Sequence, residues 1–351
     1  MPTPLDCVSP EKPYSRLRSS PAIEHLPTTQ TDALEQIDIR HTYGYLRSFD
    51  GQFDESVREY IMRISIVAAC SLLFTIGCGK KQKGAYEVAK ASGEATAFDA
   101  LKSDADALWA KRSDTESLKA ALVKYESAYN ANPTDRETAA RLTRGWYFLG
   151  DAHESEKDAK NTAFDTAVSW GKRCLAINAD FKAKLDKGDA KEAEVVAALV
   201  KEDVPCMYWT SSALGKWAKL NGILTSLKHI DTVKAYMNRI GDLQPDYFYH
   251  GPDRYWGAYY SLIPSFSGRD LGKSKSHFDK SIAGSPQYLG TQVLVADTWA
   301  VNSQDKETYL RMLQAVIDAN PGDDPDIGAE NRAEQAKAKR LLGQADERFA
   351  N

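Results

Sequence analysis

Six histidines, at positions 25, 41, 153, 229, 250 and 277, are the first residues to test for chemistry, and no two share a four-residue spacing. Without such a pair or a His-Glu-x-x-His run, no helix face presents two imidazoles to one zinc ion, so no metal site is expected. The nearest approach to a phosphate loop is Gly268 to Ser274 (GRDLGKS), one residue short and without a preceding strand. A Gly-x-Ser-x-Gly elbow is also missing, and the sequence supplies neither a catalytic constellation nor a cofactor site. What remains are groups that bind. Tyr247, Phe248, Tyr249, Tyr255, Trp256, Tyr259 and Tyr260 lie close together; they either fill a core or line an apolar channel or docking patch. Tyr255 and Tyr259 are four apart, as are Trp256 and Tyr260, so two adjacent helix faces are aromatic and one is expected to be exposed. Arg254 opens a predicted helix after Gly251-Pro252. It either grips a ligand carboxylate through two parallel N–H donors or, as such arginines more often do, pairs with Asp253 or Asp270 and braces a turn. Gly268-Arg269-Asp270 reads as a turn with Asp270 capping a helix that begins near Leu271. Cys174 and Cys206 either pair in an oxidising compartment or stay separate buried thiols, and their Cα separation decides.

The elements that must position these residues follow from composition. Of 351 residues, 42% are hydrophobic and 27% charged, the balance of a globular protein; length alone allows about two domains. A net charge of −4 gives no basic excess, so no nucleic-acid partner is expected. Five cysteines are too few for a disulfide-built scaffold. The one strongly apolar run, Ile64 to Cys78, has 15 residues, short of the roughly 20 that a spanning helix needs. Flanked by Met62-Arg63 and by Gly79-Lys80-Lys81, it has the proportions of a signal core. Thr75-Ile76-Gly77-Cys78 resembles a bacterial lipoprotein signal, with Thr75 where leucine is usual, and makes Cys78 the lipidated residue. Residues 1–61 carry 6 basic and 10 acidic side chains and prolines at 2, 4, 10, 13, 21 and 27. They read as a disordered leader, best explained as an over-extended start with translation beginning at Met62. The expected organisation is leader 1–61, signal peptide 62–77, lipidated cysteine and tether 78–94, and one folded domain 95–351.

That domain reads as all-α. Ala121, Tyr125, Ala128 and Pro133 have spacings of 4, 3 and 5; so do Val233, Met237, Ile240 and Pro245; Ser274, Phe278, Ser281 and Pro286; and Tyr309, Leu313, Val316 and Pro321. These are the offsets of the second helix of a tetratricopeptide (TPR) hairpin with its closing proline, and they predict an α-solenoid of TPR-like repeats. Ala163–Ala179 reads as a further second helix. Lys182–Asp203 reads as a solvent-facing helical insertion with Ala193, Val196, Ala197 and Val200 as its narrow apolar stripe, and 327–349 as a capping helix with a wet outer side.

Gly251–Asp305 resembles the TatT component family of the tripartite ATP-independent periplasmic (TRAP) transporters. The elements that carry the likeness are Gly251-Pro252-x-Arg254, Gly257-Ala258-Tyr259-Tyr260, Pro264, Gly268-x-Asp270, Lys273-Ser274, His277-Phe278, Pro286-x-Tyr288 and Gln304-Asp305. Met207-Tyr208-Trp209 with Ala213 and Trp217 is similar to that family's mid-chain helix, while Cys206 and the charged insertion depart from it. The resemblance implies a non-enzymatic, lipid-anchored periplasmic protein that oligomerises and docks a TRAP solute-binding protein. It also implies apolar openings that handle a hydrophobic or organic-acid ligand. Trp209, Trp217, Arg254, Tyr255, Trp256, Tyr259, Tyr260 and Trp299 are the candidate ligand or partner surface, and a cavity bordered by Tyr255–Tyr260 is the expected sign of transport. Gly79 is not the aspartate that retains enteric lipoproteins at the inner membrane, which favours the outer one. The alternative is a TPR scaffold lipoprotein for protein–protein contacts in envelope assembly.

Overall fold

In the computed structural model the described residues are 85–92, 97–188 and 190–349. The leader, the signal segment, Cys78 and most of the tether lie outside them. The described chain is helical, with no strand among the described residues. Asp and Asn start the helices: Asp114, Asp135, Asn178, Asp270 and Asp305 each accept a hydrogen bond from the backbone N–H three residues on, at 2.8–3.0 Å. A short side-chain oxygen at that position satisfies one of the helix's orphan donors. Asp270 therefore caps a helix beginning at Leu271, with Gly268 left-handed before it (φ 99°).

The helices are α1 (Phe98–Trp109), α2 (Thr115–Ala131), α3 (Arg136–Phe148), α4 (Lys157–Ala176), α5 (Ala179–Asp186), α6 (Glu192–Val195), α7 (Val204–Leu220), α8 (Ile223–Leu243), α9 (Tyr247–Leu262), α10 (Leu271–Gly284), α11 (Gly290–Leu294), α12 (Val301–Ser303), α13 (Lys306–Asp318), α14 (Gly328–Leu342) and α15 (Ala345–Arg348). Wide five- and six-residue turns, Leu149–His153 and Val295–Ala300, extend α3 and join α11 to α12. Lys80–Asn351 is one compact unit. Neighbours in sequence pack as pairs: α1 with α2, α3 with α4, α7 with α8, α9 with α10, and α13 with both the turn before α12 and α14.

All twelve apolar or small positions of the four spaced runs are buried, from Ala121, Tyr125 and Ala128 to Tyr309, Leu313 and Val316. Gly257 shows why small residues recur beside them: a Cβ there would run into the Phe278 ring, so its absence lets α9 and α10 meet closely. One core cluster runs from α1 through α8, with Tyr125, Phe181, Leu199 and Tyr236 fully buried, and a second joins α11–α13 to α14 through Leu313, Ala338 and Leu341.

Two expectations need correction. The 182–203 segment is not a solvent-facing helix with one stripe. It is the end of α5, a four-residue α6 and two tight turns, so no single helical phase runs through it. Val195 and Leu199 are buried while Ala197 and Val200 are exposed. Second, α14 buries Glu330, Asn331 and Glu334 as well as its apolar face. Its first half is a charged core element. Within the expected tether, Tyr86 packs edge-on to Phe181 at 6.0 Å, and Ser92 N–H donates to Asn130 O at 2.9 Å.

Candidate functional site

The buried charges define the most unusual region of the protein. Ionised groups are rarely taken out of water unless paired, and here eight converge: Arg112, Arg144, Glu330 and Glu334 are buried, with Asp151, Lys216, Asp326 and Lys337 half-buried beside them. Glu330, in the first turn of α14, accepts from Arg112 Nη2 and from Arg144 Nη2, both at 2.7 Å. Arg112 sits in the α1–α2 turn and also donates to the carbonyls of Pro325 and Asp326, at 2.9 Å each. Arg144, on α3, donates to Asp326 Oδ1 at 2.7 Å and to the Asp326 carbonyl. Rings cover the guanidinium faces: Trp109 lies 4.7 Å from Arg112, and Phe248 and Trp209 lie 4.8 and 5.1 Å from Arg144.

A second set lies one turn on. The wide turn after α3 swings Asp151 inward, where it meets Lys216 of α7 at 2.5 Å and Lys337 of α14 at 3.2 Å. Lys337 also meets Glu334 at 2.7 Å. Burial pushes the Asp151 carboxyl up, but Lys216 and Lys337 outweigh it and hold it well below the usual carboxylate range. Burial likewise opposes the charged form of Lys337, and Asp151 with Glu334 raises its pKa above the ordinary lysine value. Asp326 is also held low, burial being outweighed by Arg144. The four cations and four carboxylates are balanced, and the acids whose shifts resolve are fixed as anions. Such a network braces α14 against α3, α7 and the α1–α2 turn.

Between the two sets is a cavity of ≈ 20 Å³ lined by Arg144, Tyr147, Phe148, Asp151, Trp209, Tyr288, Glu330, Ala333 and Glu334. That is room for about one water molecule. Burial raises the Tyr147 hydroxyl well above its ordinary pKa, and Arg144 Nε is buried without a hydrogen-bond partner among the described residues.

Arg254 occupies a different device beside this cavity. Phe248, Tyr249 and His250 all have left-handed backbone (φ 44°, 57° and 56°), a conformation that costs a non-glycine residue about 1–2 kcal/mol. Their turned carbonyls need donors, and Arg254 supplies them: Nη2 to Phe248 O at 3.0 Å and Nη1 to Tyr249 O at 2.9 Å. Its Nη2 also donates to Tyr208 Oη at 2.7 Å, and the Tyr288 ring lies 4.2 Å away. Gly251 lies so close beneath the Tyr208 ring that a Cβ would collide with it. Neither Asp253 nor Asp270 pairs with Arg254; Asp253 meets His277 at 2.7 Å and Asp270 caps α10.

The other predicted residues are dispersed. Trp209 reaches the cavity. Trp217 is half-buried against His229, and the Trp299 indole donates to Leu271 O at 2.9 Å. Tyr255, Trp256, Tyr259 and Tyr260 are all half-buried, forming a continuous ridge of ring contacts at 5.1–6.0 Å. They do not line the cavity described above. Cys174 and Cys206 are joined as a disulfide between α4 and α7, with Cα atoms 5.6 Å apart. Cys78 lies outside the described residues.

Sequence reasoning passed over Arg112, Arg144, Asp151, Glu330 and Glu334. The available signal was local: Glu330, Glu334, Ala338 and Leu341 share one face of α14, and Arg144 is itself buried within the α3 stretch Leu142–Gly145.

No curated protein matches the chain. The family model described as the TRAP transporter T-component, TAtT, matches residues 116–349, which takes in the repeat positions, the left-handed turn and the charged half of α14. The chain thus belongs to the TRAP transporter T-component family, whose members are accessory components of these transporters.

Proposed function

We propose that the protein is a non-enzymatic periplasmic lipoprotein, anchored through Cys78, that docks the solute-binding protein of a TRAP system. The family match across 116–349 is the observation that carries this reading. The burial of all twelve spaced positions supports a TPR-like solenoid, the kind of body that presents extended surfaces to protein partners. The disulfide between Cys174 and Cys206 suits an oxidising compartment. Gly79 after Cys78 favours the outer membrane, and homo-oligomers belong to the same reading.

Docking takes precedence over ligand passage. A cavity of ≈ 20 Å³ whose walls carry three carboxylates against one guanidinium suits neither a hydrophobic molecule nor an organic acid. The half-buried ridge Tyr255–Tyr260 is the better partner surface, because exposed aromatic edges on a rigid helix make strong anchors. The test is capture of a purified TRAP solute-binding protein by the full-length chain. Trp256→Ala and Tyr260→Ala should each weaken capture by roughly 30-fold, the effect of losing about 2 kcal/mol at an anchor. Absence of capture, or recovery of envelope-assembly factors in its place, would favour the scaffold alternative.

A further inference from the structure

We propose that residues 85–92 are a strap that fastens the chain leading from Cys78 to one flank of the body. The flank built by α5, α6 and one side of α8 then turns to the membrane, and the ridge Tyr255–Tyr260 turns away from it. The orientation rests on the reading of Cys78 as the lipidated residue; the strap itself does not. From Tyr86 to Val88 the side chains alternate: Tyr86 and Val88 are half-buried and Glu87 between them is exposed. Tyr86 carries the contact. Its ring meets Phe181 of α5 edge-on at 6.0 Å, and Lys172 Nζ of α4 lies 5.5 Å from its centre. Its hydroxyl oxygen is buried, and burial followed by the charge of Glu192 raises its pKa far above the ordinary tyrosine value. Six residues on, Ser92 N–H donates to Asn130 O at 2.9 Å, in the last turn of α2.

The charged insertion builds the socket. Glu192 of α6 accepts from Tyr236 Oη at 3.1 Å. Arg239, three residues on and so on the same side of α8, donates through Nε to Leu199 O at 3.0 Å. The ridge sits on the other side. Lys234 Nζ lies 5.7 Å from the centre of the Tyr259 ring, and residues two apart on a helix, as Lys234 and Tyr236 are, point about 200° apart around its axis. Length then decides the orientation. Ala85 is seven residues on from Cys78, a reach of at most about 25 Å. A globular body of about 260 residues is about 45–50 Å across, so with the strap closed the ridge side cannot reach the bilayer. With the strap released, the first helical anchor is Phe98, 20 residues on from Cys78, and a leash of about 70 Å lets any face turn inward. The closed strap therefore keeps the ridge open to a partner that is free of the membrane.

Two measurements test this. The first uses the full-length chain carrying Cys78→Ala, so that no lipid is attached, and follows amide exchange. Ser92 N–H should be protected in this parent and lose its protection in Tyr86→Ala, while the amides of α2 and α4 keep theirs; Tyr86→Phe, which retains the ring, should keep it. Free exchange at Ser92 in the parent, or equal protection in Tyr86→Ala, would overturn the strap. The second uses the lipidated full-length chain on vesicles containing acceptor-labelled phosphatidylcholine. Donor dyes are placed at Lys184→Cys, three residues from Phe181, or at Lys280→Cys, three residues from the His277 ring that stacks on Tyr260; both positions are exposed. Energy transfer should be higher from position 184 than from position 280, and Tyr86→Ala should erase the difference. Equal transfer from the two positions with Tyr86 in place would overturn the orientation. A chain recovered without lipid at Cys78 would overturn the anchoring reading and the orientation together, and exchange at Ser92 decides the strap in either case.

Discussion

Replacing Glu330 with glutamine takes the shared anion from between two guanidinium groups while keeping nearly the same shape. The Arg112 and Glu330 side chains are only 2% and 8% exposed, so water cannot substitute for the lost charge. Breaking a buried ion pair by removing one partner costs about 3–5 kcal/mol, because the survivor is left charged and dry. The lower end applies here. Arg112 keeps the carbonyls of Pro325 and Asp326, and Arg144 keeps the Asp326 carboxylate. A loss of about 3 kcal/mol in unfolding free energy is therefore expected from urea denaturation followed by circular dichroism. Amide exchange should localise the effect: α14 is tied to α1 and α3 largely through these charges, so its first turns should open before the α1–α4 core. Arg112→Met with Glu330→Met should recover part of the loss, since removing both charges leaves only Arg144 to be compensated by Asp326. A cost for Glu330→Gln below about 1 kcal/mol, the usual worth of an exposed pair, would refute the claim that these charges hold α14 in place.

Arg254→Lys should cost about 2–3 kcal/mol, because a point charge cannot reach both turned carbonyls and Tyr208 at once; equilibrium denaturation measures it. Gly251→Ala forces a methyl into the Tyr208 ring and should cost about 1–3 kcal/mol, with a weaker near-ultraviolet signal from the displaced rings. Cys174→Ser should lower stability under non-reducing conditions by about 3–4 kcal/mol, the chain-entropy value for a loop of this length, and reductant should erase the difference from the parent. Burial lowers the His153 pKa. Its contribution is full above the unfolded value of about 6.5 and falls as acidification protonates the unfolded chain first, so His153→Gln should flatten the stability profile just below that pH. The Asp151 pKa is also lowered, its burial being overcome by Lys216 and Lys337. Its contribution is full above about pH 4 and is lost below, and Asp151→Asn should remove that loss.

Helix pairing was legible because it is local. Tyr125, Met237, Phe278 and Leu313 each sit at the same place in a repeated spacing, and each is buried. The helix start at Leu271 was legible from Asp270 for the same reason, since a cap acts within one turn. The insertion was not, because α6 ends after four residues and no period survives to be read; Leu199 is buried by the fold around it. The charged cluster was less legible still. Arg112 and Glu330 are 218 residues apart, and their attraction leaves no trace in hydropathy. A Glu-, Lys- and Arg-rich helix such as α14 reads as a wet cap until its partners are known, because each residue alone belongs outside.

The residues that carry the family likeness have a common physical cause. Three successive left-handed residues would ordinarily relax to right-handed backbone, at a gain of about 1–2 kcal/mol each. Here the surroundings over-determine them. Phe248 is caught among rings, with Trp209 at 4.6 Å and Tyr288 at 5.4 Å; Tyr249 stacks on Tyr288 at 5.9 Å; His250 Nδ1 is 2.9 Å from Ser285 Oγ. Gly251 can pass beneath Tyr208 because it has no Cβ, Pro252 needs no acceptor at the start of the regular part of α9, and Arg254 collects the carbonyls that the turn exposes. Gly251-Pro252-x-Arg254 is therefore a clamp on a strained turn. The turn redirects the chain between α8 and α9, and the direction of α9 sets where the ridge Tyr255–Tyr260 lies on the body. A sequence that must close this turn has few alternatives at these positions, whereas the ridge residues beyond it need only be aromatic. The same turn brings Phe248 over Arg144 at 4.8 Å, so the clamp and the buried charges that hold α14 are parts of one packed assembly.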